Sequence, residues 1–260
     1  MYLSYLLIDT GGNPDRPRPG RNWLSNIYNV HRRLSMAFPK YEAKRKDPHN
    51  IRPFSPEGIQ PRSFLFRIDP KIGENSQRAM IIVQSLLEPD WEYCFNNAPD
   101  FLAAAPEMKI YNPEFHVDMQ LCFRILINPS IKSAVHKSTT PKNGEKSKQG
   151  KRISLTWDEN SSPEEAISDW FKSKTQNNGF KINEIHLRRL NWVSGTKLIP
   201  ELDTDTQTDL HYHRLRFRAA LLEGKLCVKE VPLFNTCLEK GIGSGKSMGF
   251  GLLSVVPVSE

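Results

Sequence analysis

The chain has 260 residues, enough for one large domain or for two small domains that each bury a core of their own. Hydrophobic residues make up 38% and charged residues 25%, and no apolar run approaches the ~18 residues of a membrane helix, which excludes membrane-spanning proteins. The net charge of +7 favours an anionic polymer as partner, without choosing among DNA, RNA and a membrane surface.

The first segments of the chain predict a strand, a loop and a helix. Residues 1–9 read as a strand and lack the basic start and cleavage site of a signal peptide, so a cytoplasmic location is expected. A loop rich in Gly, Pro and Arg follows over residues 11–21. A helical pattern then begins at Asn22, with apolar residues at three- and four-residue steps, and ends at Pro39.

This helix carries a histidine beside its predicted buried stripe. His31 lies between the core positions Ile27 and Leu34. Tyr28 comes three residues earlier and Ser35 four residues later, so the three polar side chains share one side of the helix. The residues alone leave two interpretations open: a histidine and a tyrosine that belong to the core, or an acid–base group with a neighbouring phenol.

The rest of the chain alternates between strand and helix patterns. Loops are predicted over residues 40–60, which are basic and contain proline, and over the acidic residues 203–209. Strands are predicted over residues 64–68, 78–87, 115–127, 153–157, 180–193, 213–228 and 252–258. Helices are predicted over residues 100–105, 161–174 and 231–240.

The order of these elements predicts the fold. In the second half it is strand, helix, strand, strand, helix, strand, which is the ferredoxin-like βαββαβ order, and the first half begins in the same way. We therefore expect an α+β protein of two tandem ferredoxin-like domains with a cleft between them, over residues 1–113 and 114–260. Many unrelated proteins share this order, so it predicts no activity by itself.

Cysteine and histidine spacing predicts neither a metal site nor disulfides. None of the cysteines forms a C-x-x-C pair, so buried free thiols are expected. They are Cys94, Cys122, Cys227 and Cys237. His211 and His213 flank Tyr212, but no cluster of further ligands accompanies them, so a loop or edge location is expected and no metal or cofactor is predicted.

Residues 133–152 change in composition. They hold six Lys or Arg residues and one Glu, with no aromatic residue. This predicts a mobile basic loop, either a solvated segment or an electrostatic arm for nucleic acid.

A glycine run closes the chain. Residues 241–251 hold five of the fifteen glycines, together with Ser244, Lys246 and Ser247, and a strand-like tail follows. Backbone N–H groups and a lysine in such a run suit a phosphate. A P-loop is excluded because Lys240 stands where its first glycine belongs and because no helix follows. A simple glycine turn before a final strand remains the alternative.

The glycine run and three other stretches resemble one family. The four stretches are the glycine run with its Gly-Leu-Leu-Ser continuation, the opening Met-Tyr-Leu-Ser, the Tyr28–His31 helix with its Phe-Pro end, and the Phe123–Pro129 strand ending in Asn-Pro. Together they resemble the CasE endoribonucleases of type I-E CRISPR systems. The segments 11–21, 40–60 and 133–152 depart from this pattern as insertions.

The resemblance implies a metal-independent endoribonuclease. Such an enzyme cuts pre-crRNA at the 3′ base of a repeat stem-loop by attack of a 2′-OH, keeps the crRNA hairpin, and joins the other Cascade subunits. His31 is then the principal acid–base group and Tyr28 positions the 2′-OH. Arg32, Arg33 and Lys246 are candidates for the cation that stabilises the transition state.

The resemblance also implies a set of RNA-binding residues. They are Arg32, Arg33, Ser35, Lys132, Arg188, Arg189, Lys197, Gly243, Ser244, Gly245, Lys246 and Ser247. The basic residues around position 188 lie on a predicted hairpin that would enter the RNA groove and contact shape and phosphates. Two alternatives stay open: a non-catalytic guide-RNA-binding subunit of the same superfamily, and a basic ferredoxin-like protein that binds no hairpin.

Overall fold

A computed structural model of the chain describes residues 1–11, 19–52, 54–61, 64–69, 77–132, 152–159, 161–199 and 211–258. The loop predicted over 11–21 lies outside these residues at 12–18, and Pro19 and the residues after it already belong to a helix. The loops predicted over 133–152 and 203–209 also lie outside them, except for Arg152, which forms part of a strand.

The first half of the chain forms one ferredoxin-like unit. Its elements are β1 (Tyr2–Asp9), α1 (Pro19–Leu24), α2 (Ile27–Ser35), α3 (Tyr41–Lys46), β2 (Phe64–Asp69), β3 (Arg78–Ser85), α4 (Trp91–Phe95) and β4 (Glu107–Ile110). The four strands form an antiparallel sheet in the order β2-β3-β1-β4. This completes the βαββαβ order, whose last helix and last strand the sequence pattern does not predict.

The second half repeats the same topology. Its elements are β5 (Gln120–Ile127), β6 (Ser130–Lys132), β7 (Arg152–Ser154), α5 (Pro163–Thr175), β8 (Phe180–Ile199), β9 (His211–Val228), α6 (Val231–Lys240) and β10 (Leu253–Pro257). The main sheet has the antiparallel order β10-β5-β9-β8, and β6 pairs with β7 in a separate ribbon. The predicted tandem α+β fold is therefore confirmed, whereas a boundary between residues 113 and 114 stays a prediction.

Each unit has its own hydrophobic core. In the first unit, Ile27, Val30 and Leu34 of α2 are buried against the sheet. In the second unit, α5 begins with a capping box between Ser162 and Glu165 and packs its apolar side on the strands. The two helix stripes follow the 3.6-residue period on which their prediction rests.

Several predicted boundaries are wrong. The helix predicted from Asn22 to Pro39 is two helices, because Asn26 leaves the helical conformation and caps α2. The strand predicted from 115 begins only at Gln120, because Asp118 has a left-handed φ of 66°. The predicted 40–60 loop contains α3, and the predicted helix over 100–105 is a 3-10 turn, Pro99–Phe101.

The two units are joined by buried polar contacts. The Arg67 guanidinium on β2 is almost fully buried, pairs with Asp69, and donates to the Ser254 Oγ on β10 at 2.8 Å and to the Arg124 carbonyl at 3.3 Å. The Gln84 side chain on β3 donates to the Leu238 carbonyl of α6 at 2.7 Å. Within the described ranges, no helix is both long enough and apolar enough to cross a bilayer.

Candidate active site

The helix α2 presents one side toward the second unit. Its apolar residues face the first core, and Tyr28 and His31 lie at the edge of this stripe and are partly exposed. The 3-10 turn Lys246–Met248 of the glycine run lies next to α2, with Cα atoms within 8 Å, and Met248 packs against the first core. The helix and the glycine run therefore lie next to each other where the two units meet.

His31 is backed by aromatic rings. Its imidazole stacks on Phe64 at 5.6 Å and on Phe66 at 6.5 Å between ring centroids. Its Nδ1 is buried without a hydrogen-bond partner, which leaves Nε2 as the ring nitrogen accessible to a ligand. Burial lowers the pKa of His31 from 6.5 to about 4, since the apolar rings disfavour the charged form. His31 is therefore neutral at pH 7.

Ser35 supports the same helix from within. Its hydroxyl is buried and donates to the His31 carbonyl at 2.7 Å. This contact lies inside the helix, one turn after the histidine. The observed role of the Ser35 hydroxyl is thus a backbone contact, while its RNA-binding role stays a prediction.

The long hairpin of β8 and β9 docks on the start of α2. The Asn26 side chain accepts from the Tyr28 N–H at 3.2 Å and from the Thr196 N–H at 3.1 Å, and donates to the Thr196 carbonyl at 3.1 Å. Gly195 makes this approach feasible, because a Cβ there would lie 3.1 Å from Asn26 Oδ1 and from Ile27 Cγ2. One asparagine therefore caps the helix and ties it to the hairpin of the other unit.

The docking of the hairpin on α2 places Lys197 close to Tyr28. Lys197 follows the contact directly, and its Nζ lies 5.9 Å from the centroid of the Tyr28 ring. The sequence predicts Lys197 as an RNA-binding residue but not as a candidate for the transition-state cation. Nothing in the local sequence distinguishes Lys197 from the other basic residues of β8. Its position beside Tyr28 results from the docking of the hairpin on α2, which lies far away in the sequence.

The glycine run supports the histidine from behind. Gly249 has a φ of +78°, and a Cβ there would come 3.0 Å from Phe66, the ring on which His31 stacks. The Ser244 hydroxyl bonds to the Ser130 hydroxyl at 2.8 Å, so it is held by the β6 ribbon. Gly243 and Ser247 are exposed. Part of the run is therefore a packing element, and a smaller part is open to a ligand.

The two arginines after His31 have protein partners. The Arg33 guanidinium donates to the Cys94 carbonyl at 3.0 Å and to Asn97 Oδ1 at 2.5 Å, and so anchors α2 to α4. The Arg32 guanidinium lies 5.0 Å from the centre of the Phe54 ring. These contacts favour a supporting role for both arginines over direct contact with a reacting phosphate.

The other predicted RNA-binding residues are spread over the second unit. Arg188 pairs with Glu223 at 2.9 Å, whereas Arg189 has a buried Nε without a hydrogen-bond partner. Lys132 is exposed at the end of β6. Lys246 is partly buried in the turn beside α2, and Gly245 precedes it in a left-handed conformation.

The described residues contain no cluster of three or more His, Cys, Asp or Glu side chains that could hold a metal ion. All four cysteines are free; Cys94, Cys227 and Cys237 are buried and Cys122 is partly exposed. His213 lies in β9 opposite Lys197, before the part of β9 that pairs with β5, so it stands near an edge and not in a loop. Among the described residues, the titratable side chains at this contact between the units include Tyr28 and His31 of α2, Lys197 of the hairpin and Lys246 of the glycine run.

Comparison with known proteins places this chain in a family. Residues 1–257 match the model of a family described as CRISPR associated protein. The chain belongs to this family, and the resemblance predicted from the glycine run and the His31 helix is confirmed.

Particular relatives extend over the whole chain. The CRISPR-associated endoribonuclease Cse3 of Thermus thermophilus is 25% identical over 265 residues, which cover 99% of this chain and 100% of the relative. A solved structure of CRISPR endoribonuclease Cse3 bound to 19 nt RNA matches with a TM-score of 0.67 at 25% identity, over 99% of this chain and 100% of that chain. Cas6e from Escherichia coli str. K-12 has the same fold, with a TM-score of 0.56 at 19% identity over 99% and 100% of the two chains.

Proposed function

We propose that this protein is a metal-independent endoribonuclease that processes pre-crRNA. It cuts at the 3′ base of a repeat stem-loop, retains the hairpin, and acts as a subunit of a Cascade complex. The observation that carries the proposal is the juxtaposition of His31 and Tyr28 on α2 with Lys197 on the hairpin, in a chain whose full-length relative is an endoribonuclease.

The chemistry is an internal displacement at phosphorus. The 2′-oxygen forms a bond to the adjacent phosphorus as its proton moves to Nε2 of His31, and the bond from phosphorus to the 5′-oxygen breaks. The 5′-oxygen takes a proton from the imidazolium or from solvent. The products are a 2′,3′-cyclic phosphate, which water can open, and a 5′-OH. At pH 7 His31 is in the neutral form, which is the form that can take the proton in the first step.

Tyr28 and Lys197 have complementary roles beside it. The phenol of Tyr28, one turn before His31 on α2, orients the 2′-OH through a hydrogen bond. The Lys197 ammonium stabilises the negative charge that develops on the phosphorane oxygens. The positions of Arg32 and Arg33 against protein partners favour Lys197 over either arginine for this role.

The test uses a labelled repeat hairpin in EDTA. Wild type should cut it once, because no metal takes part in the proposed chemistry, while His31→Ala should bind but lose about 10²–10⁴-fold in rate, the typical contribution of an acid–base group. Lys197→Met should lose about 10²–10³-fold, as when one charge-stabilising donor is removed. Lys181→Met, an exposed lysine on the same strand, is the matched control and should cut at nearly the wild-type rate.

The same experiment decides between catalysis and binding alone. Full cleavage by His31→Ala would remove His31 from its role, and a requirement of wild type for Mg²⁺ would exclude the mechanism. Tight binding of the hairpin without any cleavage by wild type would favour the non-catalytic guide-RNA-binding subunit.

A further inference from the structure

The hairpin of β8 and β9 has a second side, turned away from α2. Side chains alternate along a strand, and the pairing from residue 189 to residue 199 has no bulge. Val193 packs against the first core and Lys197 lies near Tyr28, whereas Trp192 faces the opposite way. Arg218 lies directly opposite Trp192 on β9.

On this side two arginines share one indole. The Arg216 guanidinium lies 4.2 Å and that of Arg218 4.9 Å from the centroid of the Trp192 ring. Arg218 also lies 4.3 Å over Trp157 and donates to the Leu155 carbonyl at 2.8 Å, which fixes its position. Trp192 itself is 44% exposed, so the arginines leave a large part of the indole open.

The charge on this side is of one sign. Arg214, Arg216 and Arg218 alternate along β9 with a spacing of about 7 Å between successive residues of one face. Across the described ranges, no carboxylate lies within ion-pair distance of any of the three. Two guanidiniums that lie over one ring concentrate positive charge there, so this arrangement is suited to an anion. We call Trp192 with these three arginines the Trp192 face.

We propose that the Trp192 face binds unpaired nucleotides on the 5′ side of the RNA stem-loop. One base stacks on the indole of Trp192, and Arg214 and Arg216 hold the neighbouring phosphates. This assignment rests on the proposed function, because it takes the 3′ strand to lie beside Tyr28. The other strand at the foot of the stem then leaves across the opposite side of the hairpin.

Unpaired RNA fits this face better than a duplex or a protein. An indole stacks on bases that are splayed out, and the deep, narrow groove of A-form RNA offers no such base to a side chain. Of the β8 residues on this side, Leu190 packs against the second core, whereas the next two after Trp192, Ser194 and Thr196, are small and polar. A protein interface of ordinary kind needs a wider apolar centre.

The test compares three RNAs with a 2′-deoxy nucleotide at the cleavage site: the bare stem-loop, the stem-loop with a short 5′ extension, and the stem-loop with a 3′ extension. Wild type should bind the 5′-extended RNA about tenfold more tightly than the bare stem-loop, the range of one base–aromatic stack. Trp192→Ala should lose this gain and bind the bare stem-loop as wild type does. Trp192→Phe should keep most of it, and Tyr41→Ala, which removes another exposed ring, should change nothing.

Several outcomes would overturn the proposal. If Trp192→Ala weakened the binding of all three RNAs equally, Trp192 would contact the stem. If wild type bound only the 3′-extended RNA more tightly than the bare stem-loop, the face would bind the 3′ strand and not the 5′ strand. If the Trp192→Ala variant unfolds at a lower temperature than wild type, the Arg216→Gln variant is tested in its place. It should also lose the tighter binding of the 5′-extended RNA. Cleavage of an unmodified stem-loop by wild type separates this proposal from the proposed function, because that activity does not need the extension.

Discussion

At the scale of single residues, the burial of His31 determines its protonation. The unfolded chain binds a proton at this histidine near pH 6.5, whereas the folded protein does so only near pH 4. Between these values the unfolded state holds more protons, so the free energy of unfolding decreases as the pH falls from 6.5 to 4. The histidine is therefore neutral for catalysis and a source of acid instability.

This dependence can be measured by substitution. His31→Asn should flatten the pH dependence of the free energy of unfolding between pH 6.5 and 4, by at most about 3 kcal/mol. Denaturant melts at several pH values provide the measurement. His186→Asn, at an exposed position on β8, is the control and should leave the dependence in place. An unchanged profile in His31→Asn would contradict the burial of a neutral imidazole.

The sequence predicts the position of His31 on its helix but not its pKa. The spacing of Tyr28, His31 and Ser35 predicts a shared side, because the period of a helix is fixed. The low pKa could not be predicted, since Phe64 and Phe66 come from a strand and their approach depends on packing. Lys197 could not be assigned to the site for the same reason.

At the scale of elements, the glycine run contributes to the site through packing. Its N–H groups and lysine suggest a phosphate cradle, and residues 243 and 247 remain open to one. The structure adds that Gly249 lies against Phe66, which in turn supports His31. The sequence predicts the run and its position before the last strand, but the neighbour of each glycine depends on the other unit.

A pair of glycine variants separates packing from backbone strain. Gly243 and Gly249 both have a left-handed φ, +81° and +78°, so alanine is strained at either position. Only at Gly249 would the new Cβ lie 3.0 Å from Phe66; at Gly243 the nearest atom, on Trp170, is 3.6 Å away.

Both alanine variants should therefore lose stability by about 1–2 kcal/mol in denaturant melts. Gly249→Ala alone should also slow single-turnover cleavage, by about tenfold or more, because a small displacement of a catalytic group is costly in rate. If Gly243→Ala slowed cleavage equally, the run would act on the RNA directly and not through Phe66.

At the scale of the whole molecule, the two units form one site because the hairpin is tied to α2. The predicted tandem fold follows from the order of elements, which local patterns determine well. The contact between the units does not follow from it, because it depends on Asn26, which the pattern places inside one continuous helix, and on Gly195, which lies beyond the strand predicted over 180–193. Asparagine commonly caps a helix and glycine commonly marks a bulge in a strand, so neither residue indicates a distant partner.

The tie between the units can be weakened without removing the helix cap. Asp is as good an N-cap as Asn, so Asn26→Asp keeps the acceptor for the Tyr28 N–H. It loses the donor to the Thr196 carbonyl and places a carboxylate oxygen against that carbonyl. We expect the hairpin to dock less well, which moves Lys197 away from Tyr28 and lowers the single-turnover cleavage rate by about tenfold, the loss expected from misplacement of a charge-stabilising group.

The control for this variant carries the same added charge. Asn191→Asp places a carboxylate on an exposed position of the same hairpin, so it reports how far negative charge alone weakens RNA binding. Asn26→Asp should bind a non-cleavable hairpin as Asn191→Asp does and differ from it only in rate. Gly195→Ala, whose Cβ would press on Asn26 and Ile27, should show the same loss of rate without a change of charge. Equal rates in all three variants would mean that Lys197 reaches the reacting phosphate without the docked hairpin, and that the Asn26 contact serves stability alone.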